Sequence, residues 1–121
     1  MADVELLKGI LRAYQNKTGF SGSVTDTPVG AITASANFSG YRGSLIGCFS
    51  GHTHTDYLVD VGFKAVTTAN DSITVAESDY APAKERGTNT EQVIDFICVN
   101  KRTRTVNLVR LGAGSDRAFN Y

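Results

Sequence analysis

The sequence predicts an α+β chain, with one amino-terminal helix followed by a mainly antiparallel β-sheet. Apolar residues near the start recur at spacings of three and four, as on one face of a helix. The second half instead holds short β-rich runs separated by glycine or by polar turns, and no segment repeats another.

The helix is expected over Ala2 to Gln15. Val4, Leu6, Leu7, Ile10, Leu11 and Tyr14 make one apolar stripe, and Asp3 supplies an N-cap or first-turn acid. Gly9 weakens this helix by about 1 kcal/mol relative to alanine. Asn16 to Gly19 provides the stop. From Thr18 to Ser44 the composition turns to Gly, Ser, Thr, Ala and Asn. A structureless segment of that length is unusual in a compact domain, so short strands are expected near Ala31 to Ala34 and Ala36 to Phe38, with turns around Thr25 to Pro28.

Leu45 to Phe49, bounded by Gly43 and Gly51, reads as a buried strand. Tyr57 to Val61 and Lys64 to Thr68 are two further β segments, parted by Gly62-Phe63. Asp79 to Thr90 is a polar loop. Gln92 to Asn100 and Thr105 to Leu111 form a hairpin around the basic turn Lys101-Arg102-Thr103-Arg104, although no Asn-Gly or Asp-Gly pair marks it. Gly112 to Tyr121 reads as a glycine-rich turn and a polar tail.

With 121 residues, 41% hydrophobic and 20% charged, the chain has the composition of one globular domain spanning 1–121. Twelve basic and twelve acidic residues cancel, which gives no reason to expect nucleic acid or an anionic membrane surface as partner. No apolar run approaches the roughly 20 residues that span a bilayer. Asp3 and Glu5 stand where a signal peptide needs a basic region, so a cytoplasmic location is expected. Cys48 and Cys98 both lie in apolar stretches and read as small buried hydrophobes.

The only two histidines fall together in Ser50-Gly51-His52-Thr53-His54-Thr55-Asp56, directly after an expected strand. Imidazole is the commonest side-chain metal ligand, and in extended backbone residues i and i+2 project to the same side. By spacing alone three readings stay open: two metal ligands, two exposed polar residues, or one histidine partnered by Asp56. Two imidazoles make an incomplete site, since zinc centres have at least three protein ligands.

Cys48-Phe49-Ser50-Gly51-His52-Thr53-His54 resembles the last block of the calcineurin-like metallophosphoesterases, where a strand runs into a Gly-His-x-His turn. Gly87 to Phe96 and Arg110 to Phe119 resemble the carboxy-terminal end of such enzymes of phage and prophage type, and the amino-terminal helix fits the same alignment. The resemblance therefore covers nearly the whole chain. It implies the carboxy-terminal half of the family's α/β sandwich, with His52 and His54 on separate ions of a two-metal centre. It further implies hydrolysis of phosphate esters with Mn, Zn or Fe, two ions about 3.5–4 Å apart holding hydroxide and phosphoryl oxygens.

The family's Asp-x-His, Gly-Asp-x-x-Asp and Gly-Asn-His blocks are missing. There is no third histidine and no Gly-Asp dipeptide. Asp56, Asp60, Asp71 and Asp79 are candidate substitute ligands, but their spacing does not reproduce the bridge. The expectation is a fragment, inactive by itself, whose partner is the missing amino-terminal half or a second copy. The alternatives are a degenerate, non-catalytic interaction module and a small metal-binding protein using His52, His54 and Asp56. Arg110 to Arg117 does not match a phosphate-binding loop. It reads as structural, with Gly112 and Gly114 turning the chain after the last strand and Asp116 or Arg117 pairing locally.

Overall fold

A computed structural model of the chain describes residues 2–25, 27–51, 53–69 and 83–121. Among the described residues one helix, α1 (Ala2–Asn16), precedes eight strands: β1 (Gly19–Val24), β2 (Ile32–Asn37), β3 (Cys48–Ser50), β4 (Tyr57–Asp60), β5 (Lys64–Thr67), β6 (Val93–Asn100), β7 (Thr105–Gly112) and β8 (Arg117–Asn120). The strands form three sheets, ordered β1-β2, β3-β5-β4 and β6-β7-β8. All pairings are antiparallel except β3 with β5. The expected α+β class holds. The chain divides into two compact units, Met1–Leu45 and Ile46–Tyr121.

In the first unit α1 lies on the β1-β2 hairpin. Its packed stripe runs through Leu6, Gly9, Ile10 and Ala13, while Val4 and Leu7, expected on that stripe, are exposed. The stripe is displaced because Phe20 of β1 occupies the space over Gly9. A Cβ there would overlap the Phe20 ring, and a Cβ at Gly22 would come within 2.8 Å of the same ring and 3.2 Å of Leu6. Gly9 is thus a packing requirement rather than a flaw in the helix. The helix ends in a Schellman-type turn, in which the Lys17 and Thr18 amides donate to Tyr14 and Ala13 and Lys17 takes a φ of 57°. Tyr14, Phe38 and Tyr41 close one end with edge-to-face ring contacts 5.3–6.3 Å apart.

β1 was not expected as a strand. Its inward positions are Phe20, Gly22 and Val24, register partners of Ala36, Ala34 and Ile32, and a glycine at the middle position hides the apolar alternation. The two segments expected at 31–34 and 36–38 are one continuous strand, β2, because its six residues pair without a break to β1.

In the second unit, two three-stranded sheets meet over a core of Val66, Val106, Leu108 and Phe119, flanked by Ile46, Leu58 and Tyr121. Ala69, Val93 and Ala113 make a second, smaller cluster. The β4-β5 and β6-β7 hairpins fall where the β-rich runs predict them. The basic turn between β6 and β7 is closed by a side chain rather than by glycine: Asn100 Oδ1 accepts the Arg102 and Thr103 amides at 3.0 and 3.1 Å.

Three expectations are corrected. The buried strand over Leu45 to Phe49 is instead the short edge strand β3, with Phe49 exposed, because among the described residues β3 has a neighbour only in β5. The polar tail contains β8, which places Phe119 in the core. Cys98, expected to be buried, is exposed on β6, and Cys48 is half-buried; both are free thiols. The polar loop expected over Asp79 to Thr90 is non-regular from residue 83 onward, and its earlier part lies outside the described residues. No helix among the described residues is long and apolar enough to cross a membrane.

Candidate functional site

The histidine segment leaves the end of β3, and both of its ends are pinned. On the entry side, the Thr68 amide donates to Ser50 O (3.1 Å) and Ser50 Oγ reaches Val66 O (3.4 Å). On the exit side stands Asp56, immediately before β4. Between them Thr53 to Thr55 form a bend, with Thr55 buried and its hydroxyl donating to Thr53 O at 3.2 Å.

His54 is half-buried and has a φ of 56°. Left-handed backbone costs an L-residue roughly 1–2 kcal/mol and persists only where surrounding contacts fix it. The extended backbone that would align an i, i+2 pair is therefore not present at His54. His52 lies outside the described residues, as do Asp71 and Asp79.

Asp56, a candidate metal ligand from the sequence, is fully engaged. Arg110 Nη1 and Nη2 donate to its two oxygens at 2.9 and 2.8 Å, the Ala69 amide donates at 3.0 Å, and Arg117 Nη2 stands 3.5 Å away. Asp60 is held by Lys64 Nζ (2.9 Å) and the Gly62 amide (3.0 Å). Among the described residues, no group of three or more His, Cys, Asp or Glu side chains could hold a metal ion.

The Arg110 contacts belong to a larger network. Asp95 on β6 and Arg110 on β7 are register partners, with Arg110 Nε 2.8 Å from Oδ1 and Nη2 3.2 Å from Oδ2. Asp95 also accepts from the Thr68 hydroxyl (2.7 Å) and from Arg117 Nη2 (2.5 Å). Arg117 Nη1 caps the carbonyls of Tyr57 and Thr67 at 3.0 and 2.9 Å. Side-chain exposure is 2% for Arg110, 4% for Asp95, 14% for Arg117 and 19% for Asp56.

Two guanidinium and two carboxylate groups thus neutralise one another away from water. Charges so buried are tolerated because they are paired and hydrogen-bonded through forked, charge-assisted contacts. Burial alone raises the Asp95 pKa, but hydrogen bonds from Arg110 and Thr68, with the charges of Arg110 and Arg117, outweigh it and hold this carboxyl below the usual range. Burial likewise works against the charge on Arg110; Asp56 and Asp95 more than offset it, so its pKa is raised. Arg117 Nε is the one buried side-chain polar atom without a partner among the described residues.

Of the two residues either of which was expected to pair locally, Arg117 instead makes contacts that span 22 to 60 residues of sequence. Asp116 does pair locally, its Oδ1 accepting the Arg110 amide at 2.8 Å. Gly112 and Gly114, with φ values of 100° and 98°, turn the chain between β7 and β8 rather than after the last strand.

The sequence did not single out Asp95. A signal was available: on β6 and β7 the positions that share a face with Val93, Val106 and Leu108 include Asp95 and Arg110, opposite charges at a core-facing pair. Comparison with protein-family models, curated proteins and solved structures gives no match to the chain.

Proposed function

We propose that the chain is a carboxy-terminal part of a calcineurin-like metallophosphoesterase, contributing the His52 and His54 turn to a metal site completed by groups from elsewhere. One observation supports this reading above the others. Two of the segments that carry the resemblance, Cys48 to His54 and Arg110 to Phe119, are far apart in sequence. Yet Arg110 and Arg117 of the second grip Asp56 at the exit of the first.

The described donors are too few to hold a metal pair, and Asp56 and Asp60 are committed to cations. No catalytic step is therefore assigned to this chain alone. Manganese, zinc or iron would be the ions of the completed site, where a two-metal clamp activates water and neutralises phosphoryl charge.

The test is titration of the ¹⁵N-labelled chain with Mn²⁺, following both imidazoles by NMR. Weak broadening of His52 and His54 together, with no phosphodiester hydrolysis by the chain alone, is the expected result. Broadening of one ring only, or of neither, would contradict the metal-turn reading, and saturable broadening of both would mean that the chain holds a metal by itself. Turnover lost on His52→Ala or His54→Ala would contradict inactivity.

A second reading, a non-catalytic interaction module derived from the same family, is favoured by the outer face of the β6-β7-β8 sheet. There the register pairs Ile94–Leu111 and Phe96–Val109 present four exposed apolar side chains, Phe96 at 57% and Leu111 at 52% exposure. Such patches mark contact surfaces. In the first reading this face takes the remaining half of the fold, and in the second it takes another protein. Sedimentation of the chain alone distinguishes either from a second copy, which would appear as a concentration-dependent dimer.

A further inference from the structure

We infer that Arg110 is a positioning residue for the histidine turn, acting through Asp56. The inference depends on the phosphoesterase reading only for what the turn is used for. Three observations carry it. His54 holds a left-handed backbone, which costs any L-residue energy that surrounding contacts must offset. The exit of the turn two residues later is gripped by both terminal nitrogens of Arg110, at 2.8 and 2.9 Å. Arg110 is itself immobilised, with its Nε on Asp95 and its amide on Asp116.

The chain of contacts is continuous and stiff. The guanidinium fork fixes the carboxylate of Asp56 in plane, and that carboxylate also accepts the Ala69 amide just past β5. The entry of the turn is tied to the same strand end through Thr68 and Ser50. Ser50 before the turn and Asp56 after it are therefore both tied to the residues that follow β5, and Arg110 secures the second tie. Lysine at 110 would keep the charge while losing the fork; asparagine at 56 would keep the shape and the Ala69 contact while losing the ion pair.

The experiment uses the full ¹⁵N-labelled chain, with Asp56→Asn and Arg110→Lys as test variants and Asp60→Asn as control. Backbone order parameters are measured at Thr53, His54 and Thr55, and at Val106 and Leu108 in β7. In both test variants the turn is expected to fall from about 0.85 to below about 0.6, with Val106, Leu108 and the control unchanged. Mn²⁺ titration of the imidazoles should then need at least about tenfold more metal, as when groups supporting a metal ligand are lost. Asp56→Asn, the milder change, decides the matter alone if Arg110→Lys does not fold. Unchanged order parameters at the turn, or an equal loss at Val106 and Leu108, would overturn the inference. If the unaltered chain takes up no Mn²⁺, the phosphoesterase reading fails, while the order-parameter comparison still decides whether Arg110 positions the turn.

Discussion

Arg110 and Asp95 face each other directly across the β6-β7 ladder, buried to 2% and 4% exposure, with Nε 2.8 Å from Oδ1. From this pair the network reaches the other sheet of the second unit. Arg110 continues to Asp56, before β4, and Arg117 reaches the Tyr57 and Thr67 carbonyls of β4 and β5. A polar bridge thus lies beside the apolar core of Val66, Val106, Leu108 and Phe119 and joins the same two sheets.

Removing one partner of a buried pair leaves the other uncompensated. Arg110→Met should lower the stability of the second unit by about 3–5 kcal/mol, measured by urea unfolding followed at β6-β7 amides. Lys64→Met, which breaks the more exposed pair with Asp60, should change it by less than about 1 kcal/mol.

Asp95 gives this unit an acid limit. Its pKa is depressed in the folded chain, so its contribution is fully present above the unfolded carboxyl value of about 3.9 and is lost as pH falls through the lower folded value. Thermal scans should therefore show a melting temperature that this group leaves level from about pH 7 to 5 and that drops below about pH 4. Asp95→Asn should melt lower at neutral pH and show a shallower acid slope.

Gly9→Ala tests the first unit. Alanine gains about 1 kcal/mol in helix propensity, but overpacking against Phe20 costs about 1–3 kcal/mol. A net loss is expected in the thermal melt of α1 resonances. Phe20→Leu in the same chain should return part of it, because the smaller side chain frees the space above position 9.

Asn100→Ala removes the acceptor for two turn amides and should cost about 1 kcal/mol, read as faster hydrogen exchange across β6-β7. Asn100→Asp, which keeps the acceptor, should cost less.

What the sequence revealed follows from which side chains carry the pattern. Helix α1 and the β4-β5 and β6-β7 hairpins announce themselves through apolar residues at regular spacing. β1 and β8 do not, because their inward positions include Gly22 and Arg117, residues that count as loop or surface until their partners are known. The bridge was hidden for the same reason. Arg110 is close to Asp116 in sequence, but Asp95 and Asp56 come near only when β6 pairs with β7 and the two sheets meet. The histidine cluster was visible as a pair of residues, whereas the left-handed backbone at His54 belongs to the way the turn is anchored and leaves no mark in residue spacing.

The most direct measurement is a double-mutant cycle of Asp56→Asn and Arg110→Met on unfolding free energy. If the arginine holds the turn through this carboxylate, the two changes should be coupled by at least about 1.5 kcal/mol, within the range seen for residues in one network. Additivity within about 0.5 kcal/mol would mean that the two side chains act independently, and would contradict the account.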